Sequence, residues 1–191
     1  LIKSNNKFQF NSKQYLGPHL VEKYNNFINE SLNTDFKDGK LKLNLENHSD
    51  SNQLVGINPG ASYGDSKRWY PKEFAKVAIQ LSKHYDIIIF GGDNEKNIAN
   101  DIEEILVLNG VINYQNLAGK TSIVELANLI STLNLFITGD SGPMHLAANY
   151  QIPTVSIFGP TRADETSQWM NKNSIILKKN LACQPCMKRS C

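Results

Sequence analysis

Cysteine is scarce in this 191-residue chain and confined to one stretch, at Cys183, Cys186 and Cys191. Three thiols so placed cannot build the disulfide framework of a small secreted domain, and a reducing cytoplasm is the expected compartment. No apolar run approaches the roughly 18–20 residues that span a bilayer, and no signal peptide is visible. Charge of one sign is also lacking. Twenty Lys and Arg against 18 Asp and Glu leave a formal net charge of +2, which argues against nucleic acid or an anionic membrane as the main partner. Neither a phosphate loop ending in Gly-Lys-Ser/Thr nor the dinucleotide fingerprint G-x-G-x-x-G occurs. An acidic cluster suited to a metal ion is missing as well.

What is present fits an ordinary globular protein, with 40% hydrophobic and 20% charged residues. The length allows one α/β domain plus some extra chain. Residues 1–53 are weakly patterned and read as a remnant of a neighbouring domain with a linker. Within them, His19 to Ile28 suggests an amphipathic helix, and Leu41, Leu43 and Leu45 a short strand. From residue 54 the pattern changes. Leu54–Asn58, Asp86–Phe90, Val111–Leu117, Leu133–Thr138, Ile152–Phe158 and Ser174–Leu177 read as strands. Between them, helical periodicity starts near Pro71, then runs through Ile98, Ile102, Ile105 and Leu106, and then through Ile123, Leu126, Ala127 and Ile130. Ser122 and Glu125 form a capping box. Strands alternating with helices predict a Rossmann-like parallel sheet with helices on both faces, here over residues 54–182.

Two loops carry the candidate chemistry. The first, Pro59-Gly60-Ala61-Ser62-Tyr63-Gly64-Asp65-Ser66-Lys67-Arg68-Trp69, offers two cations at the carboxyl end of a strand, where such folds bind ligands. Taken by itself it reads more readily as a solvated basic turn with Trp69 packed underneath. The second is Gly139-Asp140-Ser141-Gly142-Pro143-Met144-His145. Pro143 suits the first helical position. The free amides of Ser141 and Gly142 would then lie at a helix N-terminus, which favours an anion, with the His145 ring one turn in. The alternative is that Ser141 caps the helix, Asp140 ties down the loop and His145 is a core histidine. Asp93 or Glu95, after the second strand, can face ribose hydroxyls or serve as helix N-terminal charges.

These two loops, together with Phe158-Gly159-Pro160-Thr161, resemble glycosyltransferase family 9, the lipopolysaccharide heptosyltransferases, and within it the heptosyltransferase II branch. The resemblance covers roughly residues 54–191. It implies the GT-B fold, two Rossmann-like halves facing a cleft, with this chain supplying the C-terminal half that holds an ADP-heptose donor. By position, Lys67 would contact the donor phosphates with Ser62 and Tyr63 beside it. The Ser141 and Gly142 amides would hold the distal phosphate, with His145 at the same helix start. Asp140 would face the sugar, Asp93 or Glu95 the ribose, and Lys120-Thr121 the adenine.

The resemblance further implies inverting transfer of heptose to a lipopolysaccharide core acceptor, at the cytoplasmic face of the inner membrane and without a transmembrane span. Charge released on ADP would be met by Lys67 and the helix start without a metal or cofactor. The acidic general base would lie near the start of the other domain, so this chain, which looks like a fragment, is expected to bind donor and transfer little. Rival readings are another GT-B enzyme (a different nucleotide sugar, or an epimerase) and a non-catalytic nucleotide-binding module. The Cys tail, 183–191, also resembles the branch. Its three thiols do not complete a structural zinc site, and free thiols in a frayed end are expected.

Overall fold

The computed structural model describes residues 7–43 and 53–191. Its centre is a sheet of six parallel strands, β1 (Leu54–Asn58), β2 (Asp86–Ile89), β3 (Tyr114–Asn116), β4 (Leu135–Gly139), β5 (Thr154–Phe158) and β6 (Ser174–Lys178). They are arranged in the order β3-β2-β1-β4-β5-β6. This is the doubly wound order, in which the chain reverses its direction of progress between β1 and β4. The connecting helices are α2 (Pro71–Leu81), α3 (Lys96–Leu108), α4 (Ile123–Ser131), α5 (Gly142–Asn149) and the short α6 (Ala163–Thr166), with α1 (Leu20–Leu32) ahead of the sheet.

Strand periodicity divides the core. Val55, Ile57, Ile87 and Ile89 point to one face and pack with Phe74, Ala75 and Ala78 of α2 and Ala99, Ile102 and Leu106 of α3. Ile88, Phe90 and Phe136 lie on the other face against Ile130 of α4 and Ala147 of α5. Alternate residues of a strand go to opposite faces, and a parallel sheet needs both covered. The expected Rossmann-like fold with helices on both faces is therefore the one adopted.

Several local expectations shift. α5 begins at Gly142, so Pro143 takes the second helical position rather than the first; proline costs nothing at either, since both amides lack an intrahelical partner. Ile123 is 79% exposed and does not join Leu126, Ala127 and Ile130 on the packed side of α4. It is the first residue of the helix, one turn before the packed stripe starts. Leu41 and Leu43 are not in a strand, and Leu45 lies outside the described residues. The four-residue α6 had no periodicity by which to find it.

The segment before the sheet docks through specific contacts. His19 caps α1, its Nδ1 accepting from the Val21 amide at 3.2 Å and its Nε2 donating to the Ser167 carbonyl at 3.0 Å. Its ring lies 4.6 Å from that of Trp169, whose indole N–H donates to the Gly39 carbonyl at 2.8 Å. Lys23 pairs with Glu165 at 3.2 Å. Trp169 is thus a packing residue. Among the described residues, no helix is long and apolar enough to cross a membrane.

Gly56 lies on the Phe90–Phe136 side of β1. A Cβ there would sit 2.5 Å from Leu133 and 2.9 Å from each of the two rings, which are themselves packed edge to face at 6.1 Å. Gly56→Ala is expected to lower stability by about 1–3 kcal/mol through overpacking. The check is a fall in the urea midpoint with the slope of the transition unchanged.

Candidate anion site at the switch point

β1 and β4 are neighbours at the topological switch, and the loops leaving their carboxyl ends meet. The loop after β1 makes one turn of 3₁₀ helix at Asp65–Lys67 and crosses the ends of the neighbouring strands. The Lys67 carbonyl lies 3.2 Å from where a Cβ on Gly139 would be, and the Ser66 carbonyl 2.4 Å from the same position on Gly159. At Gly159 a side chain would collide with backbone, and at Gly139 it would require the loop to give way. Lys67 then reaches Asp140, with 2.6 Å between Nζ and Oδ2 and 3.4 Å from Nζ to the Asp140 carbonyl. Both side chains are largely buried. Thr161, beyond β5, donates its hydroxyl to the same Oδ2. Both contacts fall on Oδ2, and Oδ1 takes no bond from the described residues.

Asn58, the last residue of β1, braces the second loop. Its Nδ2 donates to Ser141 Oγ at 3.0 Å and Thr138 Oγ1 at 3.2 Å. The Ser141 hydroxyl is held there and makes no capping bond to α5, so the reading of Ser141 as a simple cap does not describe it. The Ser141 and Gly142 amides donate to no other described backbone carbonyl. Space opens in front of them, since a Cβ on Gly142 would meet nothing within 4 Å. A helix N-terminus with open amides beside a lysine is a seat for an anion.

His145, half-buried one turn along α5, is held below the ordinary histidine range. Burial is the main cause; His19 and Lys67 act in the same direction, while Asp140 opposes them. The imidazole is thus neutral at pH 7 and in electrostatic reach of the Lys67–Asp140 pair.

The remaining candidates are spread around this centre. Tyr63 places its ring 4.8 Å from Lys67 Nζ, and Ser62 is exposed on the same loop. Glu95 is buried; its Oε2 accepts from the Gly92 amide at 2.8 Å and its Oε1 lies 3.9 Å from Arg68. It is engaged in joining the loops after β1 and β2. Asp93 is exposed and pairs with Lys96 at 2.7 Å, which holds its carboxyl below the usual range. Thr121 is half-buried in the loop after β3. That loop touches the Asp93–Lys96 pair through Gly119. Lys67, Asp140, Ser141, Gly142, His145 and Tyr63 thus come together, with Asp93 and Thr121 further along the strand ends.

Two participants were missed from the sequence. Asn58 and Thr161 are polar residues at the ends of apolar strands, a recognisable signal, but their partners depend on strand order. The Cys tail is also corrected: it is not frayed. Met187 N donates to the Pro160 carbonyl at 3.0 Å, Tyr63 Oη to the Met187 carbonyl at 2.6 Å, and Gln184 Nε2 to the Gly159 carbonyl. Its cysteines are free thiols. Among the described residues, no group of three or more His, Cys, Asp or Glu is placed to hold a metal ion.

A family model for glycosyltransferase family 9 (heptosyltransferase) matches residues 3–191. The chain belongs to this family. It is 43% identical over 199 aligned positions to lipooligosaccharide heptosyltransferase 2 of Campylobacter jejuni serotype O:2, covering 100% of this chain and 62% of that protein. The chain therefore spans less than two thirds of the length of that relative. The solved ADP-heptose LPS heptosyltransferase II of E. coli superposes with a TM-score of 0.64 at 28% identity, over 73% of this chain and 45% of that one. The E. coli heptosyltransferase WaaC with ADP shares the fold, with a TM-score of 0.67 at 20% identity, over 90% of this chain and 52% of the other.

Removing one partner of a buried ion pair strands the other charge. Asp140→Asn and Lys67→Met are each expected to cost on the order of 3–5 kcal/mol in urea unfolding, and the double variant markedly less than their sum. For His145, a folded value below the reference of 6.5 means that the unfolded chain binds the proton first. Stability is then full above pH 6.5 and lost as pH falls through the lowered folded value. Urea midpoints measured between about pH 7.5 and 5 should fall less steeply in His145→Gln than in the parent.

Proposed function

We propose that this chain is the donor-binding portion, the C-terminal GT-B half, of an inverting heptosyltransferase that moves heptose from ADP-heptose to the inner core of lipopolysaccharide. One observation carries this reading. The Lys67 ammonium, from the loop after β1, lies 3.4 Å from the Asp140 carbonyl, immediately before the open amides of Ser141 and Gly142 at the start of α5. The names of the relatives supply the donor and acceptor class, and family membership supports the reaction type.

In the proposed reaction the bond between the anomeric carbon and the diphosphate oxygen breaks, and its electron pair goes to the diphosphate. The acceptor hydroxyl oxygen attacks the opposite face of that carbon and gives its proton to a carboxylate base. Charge therefore grows on ADP, where fixed donors act most strongly. Lys67 and the start of α5 fill that role, and we read the reaction as metal-independent on this donor set. Asp140 orients Lys67 through Oδ2 and keeps Oδ1 for a sugar hydroxyl. Neutral His145 can donate a hydrogen bond without adding a charge. Asp93 faces the ribose and Thr121 flanks the adenine. In the family pattern the base belongs to the other half of the enzyme, so the chain by itself binds donor with little transfer. The acceptor would be met by peripheral association at the cytoplasmic face of the inner membrane.

Calorimetry with ADP, UDP and GDP in the presence of a chelator tests this reading. ADP is expected to bind and to be preferred. Lys67→Ala should weaken ADP about tenfold or more, the scale of a charged hydrogen bond, and leave adenosine nearly unchanged. A preference for UDP would indicate a different nucleotide sugar, and absence of binding by the folded chain would overturn the proposal.

A further inference from the structure

Residues 184–189 form a strap over the first loop. Beyond the bonds from Met187 and Gln184 to the loop after β5, Ser66 Oγ donates to the Lys188 carbonyl at 2.6 Å and Ser66 N to the Arg189 carbonyl at 3.3 Å. Gly64, at φ +154°, makes room for this contact. A Cβ there would lie 2.3 Å from the Arg189 carbonyl oxygen, with the strap backbone close behind it. In left-handed backbone under such a contact, only glycine fits. The strap thereby links the loops after β1 and β5, which flank the Asp140–Ser141 loop in the sheet order.

This docking brings a second cation to the site. The Arg189 guanidinium carbon lies 5.2 Å from the centroid of the Tyr63 ring, the same ring that Lys67 Nζ approaches at 4.8 Å. The two cations can thus be no farther apart than the sum of those distances. Arg189 is exposed and has no carboxylate partner among the described residues. Lys67 is already paired with Asp140, whereas Arg189 meets this ring with its charge unmatched by any carboxylate of the described residues. A multivalent anion bound at the Lys67 seat would supply Arg189 with the counter-charge it lacks. The planar guanidinium is also suited to a phosphate's paired oxygens in a way that an ammonium is not.

We propose that Arg189 is a second binding residue for the diphosphate, carried into place by the strap and positioned against Tyr63. The inference rests on the diphosphate reading of the Lys67 seat. It adds that the cysteine-containing segment is part of the donor site, so that the family resemblance of this segment reflects ligand binding.

The experiment is a calorimetric titration of the full chain and its Arg189→Gln, Arg189→Lys and Lys67→Ala variants with ADP, AMP and adenosine. Arg189→Gln should weaken ADP about tenfold, AMP less and adenosine not at all, while Arg189→Lys should recover part of the loss. Circular dichroism confirms folding; Arg189 is exposed and its backbone bonds do not depend on its side chain. Unchanged ADP affinity in Arg189→Gln, with Lys67→Ala impaired, would overturn the role of Arg189 and leave the donor-site reading standing. Equal weakening of ADP and adenosine would also overturn it, since that marks a packing role. Absence of ADP binding by the unmodified chain would overturn both.

Discussion

Lys67 and Asp140 belong to loops separated by more than seventy residues, and their ion pair at 2.6 Å joins the two halves of the doubly wound sheet at its switch point. Neither charge could be buried alone, because each would forfeit its hydration with nothing in return. The pair therefore requires both loops to adopt their observed paths together. Thr161 adds a third loop through the same carboxylate oxygen. Asn58 fixes the Ser141 hydroxyl, so that the side chain that would otherwise cap α5 is occupied elsewhere. The result is a helix start whose first amides are left without protein partners among the described residues, beside a lysine held in place by Asp140.

Close packing of backbone supports this arrangement. The first loop lies close over β4 and β5 because Gly159, and to a lesser degree Gly139, present no Cβ to the Ser66 and Lys67 carbonyls, and Gly60 leaves the same room for Glu95 on the other side. Buried Glu95, bonded to the Gly92 amide and facing Arg68, links that loop to the one after β2. Each strand-end loop is thus bonded to its neighbour, and the strap at 184–189 fastens the outermost face. A site built this way limits the reorganisation required of the protein when a ligand's charge changes, the condition under which fixed donors are most effective.

The architecture was largely legible in the residues. Continuous apolar runs such as Ile87-Ile88-Ile89, short and β-branched, are what strands covered on both faces require, and β1 follows the predicted limits of Leu54–Asn58 residue for residue. The capping box at Ser122 and Glu125 marked the start of α4. Lys67, Asp140 and the Ser141–Gly142 amides could be named from their loops, but each had a structural alternative there, and it was the family resemblance that assigned them to a donor site. Less legible were pairings between residues distant in sequence. Nothing local distinguished Glu95, buried and engaged, from Asp93, exposed and paired only with Lys96. The tail looked frayed because its bonds are made by backbone carbonyls, which carry no signature in the side-chain sequence.

Periodicity, turn residues and caps act over a few neighbouring positions, so the sequence by itself determined the strands, the helices, the parallel sheet and the loops that could carry a charge. Which loop meets which followed from the 3-2-1-4-5-6 strand order, a property of the whole sheet. Only the tertiary structure decided that Lys67 is held by Asp140, that Ser141 is withdrawn from its helix, that Glu95 is engaged within the protein and that the strap carries Arg189 to Tyr63. The physical reason is that burial and charge pairing depend on distances in space, and those exist only after the β1 and β4 ends have been brought side by side.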